Sequence, residues 1–249
     1  MRKLIMLSLI AILIGSAVSA STPETFFSNN ETVYVTAPSG LTLREAPNVN
    51  ARIIEIIPFG ESISVVIEES VEMESQRIDW IDGQWIKVSF EGEEGFVFDG
   101  FLSHLPVPVL DFELVDSDLN FTYAFHSWMD YRFTEVLAPD TIQREDEFVR
   151  VIHHFESDQQ LIERDGATFY MVDATLTDVR LTDVYHILLS MMPSKINRKY
   201  VEDQSIFIED EDGELEQIKL MLPNPVKIIK KNNGTVNIKL YSNYTGCSL

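Results

Sequence analysis

The segment Trp85-Ile86-Lys87-Val88-Ser89-Phe90 places Ile86, Val88 and Phe90 on one side of an extended chain and Lys87 and Ser89 on the other. That period of two belongs to a half-buried β-strand, whereas a helix needs its apolar residues three and four apart. Similar short runs surround it, each closed by a turn signal. Val33-Tyr34-Val35 precedes Pro38-Ser39-Gly40, and Ile53 to Ile57 stops at Pro58-Phe59-Gly60. Ile63 to Ile67 follows, and Phe96-Val97-Phe98 returns after the turn Glu91-Gly92-Glu93-Glu94-Gly95, with Gly100 and Leu102 closing the set. Many short strands with regular turns and no helical period predict a small barrel or sandwich.

The details of this stretch narrow the class. Gly40-Leu41-Thr42-Leu43-Arg44-Glu45-Ala46-Pro47 opens it, Ile57-Pro58-Phe59-Gly60-Glu61 and Trp85-Ile86-Lys87-Val88 continue it, and Gly92, Gly95-Phe96-Val97 and Leu102 end it. In order and spacing these residues resemble the bacterial SH3 domain family over residues 31–105. The resemblance implies an SH3-like small β-barrel that binds a peptide-like ligand, either a cell-wall stem peptide or a protein partner. Residues 68–84 depart from the family by making a longer and more acidic connection. Physical roles stand beside the family ones. Leu41 and Leu43 share a strand face and are expected inside, with Arg44 opposite them. Gly40 and Gly95 suit positive φ or close backbone approach, and Trp85 is expected in the core.

Pro106-Val107-Pro108 marks a boundary. Beyond it, Phe148 to Phe155 and Ala167 to Val172 read as strands flanking a turn at Asp165-Gly166. Thr182-Asp183 can cap a helix through Val184, Tyr185, Ile187, Leu188, Leu189 and Met191, stopped by Pro193. Ser205 to Ile208 meets Leu215 to Leu222 across Asp212-Gly213, and Val226 to Lys231 pairs with Val236 to Tyr241 across Asn233-Gly234, the strongest hairpin signal in the chain. The expected fold is therefore mainly β: the SH3-like barrel, then an antiparallel α+β domain over residues 109–249 with one main helix.

Residues 1–20 supply an address. Arg2 and Lys3 precede an apolar run from Leu4 to Ile14, and Val18-Ser19-Ala20 offers small residues for cleavage. This is the layout of a secretory signal peptide, and the run is shorter than the ~20 residues that span a bilayer. Residues 21–30 read as a linker. The protein is expected to be exported, periplasmic or secreted, without membrane insertion after cleavage. A formal charge of −21 argues against nucleic acid and anionic lipid as partners. A single cysteine, Cys247, leaves no intrachain disulfide and no cysteine-rich zinc site.

Catalytic patterns are sparse. Cys247 follows every histidine, the reverse of what a cysteine–histidine peptidase needs. His126 and Asp130 match half of a lysostaphin-type zinc motif, but His153 and His154 are adjacent, so a strand points them to opposite faces. His126, one of His153 and His154, and His186 could converge with Glu156 or Glu147, although no spacing selects that arrangement. The acidic run at Glu209–Glu214 fails the helix–loop–helix calcium spacing, with Lys219 at the twelfth position. No catalytic residue, metal or cofactor is expected. The leading expectation is an exported, non-catalytic protein whose SH3-like barrel binds a peptide-like ligand. Trp80 in the long connection is the best exposed aromatic contact, with Tyr34, Phe59 and Phe98 behind it. The alternatives are a metal-dependent wall hydrolase with its site in the C-terminal domain, and a structural scaffold of the envelope.

Overall fold

The computed structural model describes residues 26–67, 75–108, 118–136, 140–144, 148–192 and 198–243. The leader, Glu147, Pro193 and Cys247 lie outside these residues. The apolar runs of the first half become β1 (Thr32–Val35), β2 (Leu41–Arg44), β3 (Ile53–Ile57), β4 (Ser62–Val66), β5 (Gln76–Ile78), β6 (Ile81–Gly83), β7 (Trp85–Phe90), β8 (Glu93–Phe98) and β9 (Leu102–Ser103). Seven strands form an antiparallel sheet in the order β3-β2-β8-β7-β4-β1-β9, and β5 and β6 form a separate hairpin. Alternation fixes what each strand buries: Val33 and Val35, Leu41 and Leu43, Ile63 and Val65, Ile86 and Val88 meet in one cluster. Trp85 is buried beside it with Ile81 and Phe98.

The barrel expected from the resemblance is not closed. β3 and β9 remain edges of the sheet. β9 is two residues long, and the Arg180 guanidinium, from the second half, donates to the Leu102 carbonyl at 2.5 Å and to the Asp99 carbonyl at 3.0 Å. The edge is covered by a side chain instead of a strand, one way of satisfying it. The segment read as a linker also contributes to the fold, because Phe27 is buried in the first-half cluster.

The second half contains α1 (Asp118–Arg132), β10 (Asp140–Arg144), β11 (Phe148–His154), β12 (Gln160–Gly166), β13 (Phe169–Leu176), α2 (Leu181–Ser190), α3 (Arg198–Gln204), β14 (Ile206–Glu209), β15 (Leu215–Leu220), β16 (Val226–Lys230) and β17 (Val236–Asn243). Its eight strands run antiparallel in the order β10-β11-β12-β13-β17-β16-β15-β14. The Asn233-Gly234 and Asp212-Gly213 hairpins form as expected, with Gly234 and Gly213 at φ 81° and 82°.

Three expectations change. The described residues hold three helices, not one main helix. In α1, Phe121, Phe125, Trp128 and Met129 follow a helical spacing and are buried, but the exposed Tyr123 and Tyr131 blur that pattern in the sequence. The turn placed at Asp165-Gly166 lies just beyond it. β11 pairs with the polar β12, which in turn pairs with β13, so a whole strand stands where the sequence suggested a turn. The cap of α2 lies two residues before Thr182: Arg180 is the N-cap, and the Asp183 carboxylate accepts its backbone N–H at 2.9 Å.

All ten residues of α2 are buried. A helix buried all round must be covered on both sides. One side packs on β15 and β16, and the other meets the Asp99–Phe101 turn of the first half. Cross-strand register sets the sheet's inner face. His153, Leu161, Ala174, Ile238, Ile228 and Ile218 are successive partners from β11 to β15 and form one row. Five members are fully buried and apolar, while the β11 end is histidine.

Candidate functional site

The seam between the halves is built around Arg180. Its guanidinium lies 3.0 Å from the Asp183 carboxylate and 3.6 Å from that of Asp99, with the rings of Phe26 and Phe27 at 4.7 and 4.9 Å. Burial lowers the guanidinium's proton affinity, but Asp183 and Asp99 outweigh that and hold it above its ordinary value. Burial raises the Asp99 carboxyl despite Arg180. His186, one turn beyond Asp183, has Nδ1 3.1 Å from the Thr36 hydroxyl, and its ring stacks on Phe101. Burial, with Arg180 nearby, lowers its pKa to about 3, so the ring is neutral.

A cleft of about 800 Å³ opens along this seam. Its walls come from the Ala37–Thr42 loop, the β5–β6 turn, Phe101, α2 at Tyr185 and His186, and α3 with the start of β14. The β5–β6 turn consists of Asp79 and Trp80, at φ 50° and 67°. Two left-handed residues suit the twist of a tight hairpin, a place normally taken by Asn and Gly. A bulky aromatic there is an outlier that costs on the order of 1–3 kcal/mol. Trp80 is nevertheless 67% exposed, whereas Trp85 and Trp128 are each 4% exposed. Acids face it across the cleft: burial raises the Glu202 carboxyl, and Asp203 pairs with Lys199 at 2.8 Å.

The four sequence candidates separate. Trp80 lines the cleft. Tyr34, half-buried on β1, pairs with Ser62 and Ser103, and the half-buried Phe59 sits in the turn before β4, so neither lines the cleft. Phe98, 2% exposed, packs on Trp85 and presents no surface to a ligand. On β8, Phe96 and Phe98 share one face and pack together in the cluster with Trp85 and Ile81, while Val97 between them points to the first-half cluster.

A second constellation lies on the inner face of the larger sheet. His126 of α1 places Nδ1 2.9 Å from Glu163 Oε1, and His153 of β11 places Nε2 3.0 Å from Glu163 Oε2. The outer nitrogens also face carboxylates, His153 Nδ1 at 3.1 Å from Glu135 and His126 Nε2 at 3.4 Å from Asp130. The Tyr170 hydroxyl donates to Glu163. Burial pushes Glu163 up, but His126, His153 and Tyr170 overcome it and hold the carboxyl far below the usual carboxylate range. Hydrogen bonding to Glu163 raises His153, against burial, and burial with the Glu163 bond raises Tyr170 well above a phenol's ordinary value. His186 does not join this group, nor does the sequence candidate Glu156 serve as its acid, and Glu147 lies outside the described residues. The acid is Glu163, on the strand that the sequence reading passed over.

Residues 39–103 match the family model of the bacterial SH3 domain. The match covers the Gly40–Pro47 opening, Trp85–Val88 and Leu102, where the resemblance was read. Such domains are commonly binding modules for peptide or cell-wall ligands, often joined to wall hydrolases and typically extracellular or wall-associated. No curated protein and no solved structure matches the chain. Among the described residues no helix is long and apolar enough to cross a membrane.

Proposed function

We propose that this protein is an exported, non-catalytic binding protein that takes a peptide-like ligand, a wall stem peptide or a protein segment, in the cleft beside its SH3 module. One observation carries the reading. Trp80 bears two costs, exposure of a large apolar surface and a left-handed backbone, at the mouth of a cleft. Strain of this kind gathers at binding sites, and an exposed tryptophan is the residue type that anchors interfaces. The acids Asp79 and Glu202 and the chain's net charge of −21 favour a ligand carrying a free amine. Export rests on the Arg2-Lys3 start and the apolar run after it, and residues 31–105 and 109–249 are the two domains of this account.

Trp80→Ala tests it. Pulldown on purified wall material, and titration with an amine-bearing stem peptide, are expected to lose at least tenfold in affinity, as for a buried aromatic anchor. The exposed position predicts a melting temperature close to that of the parent. Unchanged binding by the variant removes Trp80 and this cleft from the site.

A further inference from the structure

We infer that His126, His153 and Glu163 form a binding site for a transition-metal dication of the zinc type, independent of the peptide cleft. The three ligand atoms lie within 4.8 Å of one another, on three different elements, α1, β11 and β12. Register brings the two sheet residues together. Val151 is the partner of Glu163 and His153 that of Leu161, so His153 and Glu163 are diagonal neighbours on the face that α1 covers. Two imidazole nitrogens and one carboxylate are a donor set for zinc with an open fourth position, and nitrogen donors argue against calcium or magnesium.

The surroundings carry the argument past simple proximity. His126 Nε2 is buried 3.4 Å from Asp130 without a hydrogen bond, whereas His153 turns one nitrogen inward to Glu163 and hydrogen-bonds Glu135 with the other at 3.1 Å. Metal-bound histidines are oriented by that arrangement, which fixes the ring and strengthens the donor. A polar network built only to satisfy Glu163 would not need Glu135 on the outer nitrogen of His153. Two imidazoles among three acids also leave negative charge that a dication neutralises. The spacing needs little change. Tetrahedral zinc with bonds of ~2.0–2.1 Å separates its ligands by roughly 3.3 Å. The two nitrogens already sit 2.9 and 3.0 Å from the Glu163 oxygens. With their side chains 13–18% exposed, the groups are sheltered yet reachable.

The test is metal analysis of the full chain after loading with zinc and desalting, with cobalt(II) as an optical probe. One zinc per chain is expected, with cobalt absorption bands of a four- or five-coordinate nitrogen–oxygen site. His153→Ala and Glu163→Gln should each weaken zinc binding by more than tenfold, Glu135→Gln by about tenfold, and Trp80→Ala not at all. Asp210→Asn, in the exposed acidic turn, guards against surface binding and should bind as the parent does. Circular dichroism establishes that each variant is folded, and the parent's stoichiometry decides the matter if one is not. A parent chain without stoichiometric zinc overturns the site. So does a folded His153→Ala that binds zinc as the parent does.

Discussion

Arg180 touches both halves through one side chain. It covers the β9 edge, neutralises the buried Asp183 and Asp99, and lies against Phe26 and Phe27. Its removal strands two acids in a dry seam, so Arg180→Ala should cost about 3–5 kcal/mol in denaturant unfolding. Arg180→Lys should recover little of that, because a point charge cannot reach two carbonyls and two carboxylates at once. His186 gives the seam a pH signature. The folded chain keeps the ring neutral down to about 3, while the unfolded chain protonates it below about 6.5. This contribution is whole above 6.5 and is lost as pH falls from there toward 3, at about 1.4 kcal/mol per pH unit. Asp99, raised by burial, acts in the opposite sense. The comparison that isolates the histidine is therefore the parent against His186→Gln, and the variant should show the shallower decline in unfolding free energy from pH 6.5 to 4. Leu41 and Leu43 were legible from alternation, and Trp85 from the large burial an aromatic carries, since alternation sets it on the Lys87 face of β7. Arg180 was not, since the carbonyls it reaches in the first half lie about eighty positions away and no local pattern marks it.

The elements divide by how local their causes are. Asn233-Gly234 and Asp212-Gly213 write their hairpins into two residues, and the structure follows them. Residues 39–103 carried family spacing and were legible as a module, though not the open edge of their sheet. β12 is Gln160-Leu161-Ile162-Glu163-Arg164-Asp165-Gly166, half polar, and holds as a strand because β11 and β13 flank it. Missing that strand meant missing Glu163, and without the register nothing brings His153 to it. The glycines sort likewise. Gly40 does need positive φ, at 84°, but Gly95 is required for close approach: a Cβ there would lie 2.8 Å from the Arg44 carbonyl oxygen and 2.9 Å from Leu43. Gly95→Ala should prise β8 from β2 and lower stability by roughly 1–3 kcal/mol, read as an earlier denaturant midpoint. A midpoint equal to the parent's would mean that these strands lie farther apart.

At the scale of the molecule, α2 is shared property. It completes the core of the larger sheet and, through Arg180 and His186, closes the seam with the SH3 module. The cleft exists because that seam is filled at Arg180 and left open beside Trp80. Hydrogen–deuterium exchange on the full chain, with and without an amine-bearing stem peptide, reads the location directly. Slowed exchange is expected in the Ala37–Thr42 loop, the Asp79-Trp80 turn and the start of β14, and should vanish in Trp80→Ala. Protection centred instead on Tyr34 and Phe59, or none in any segment under saturating peptide, would contradict a ligand site at the seam.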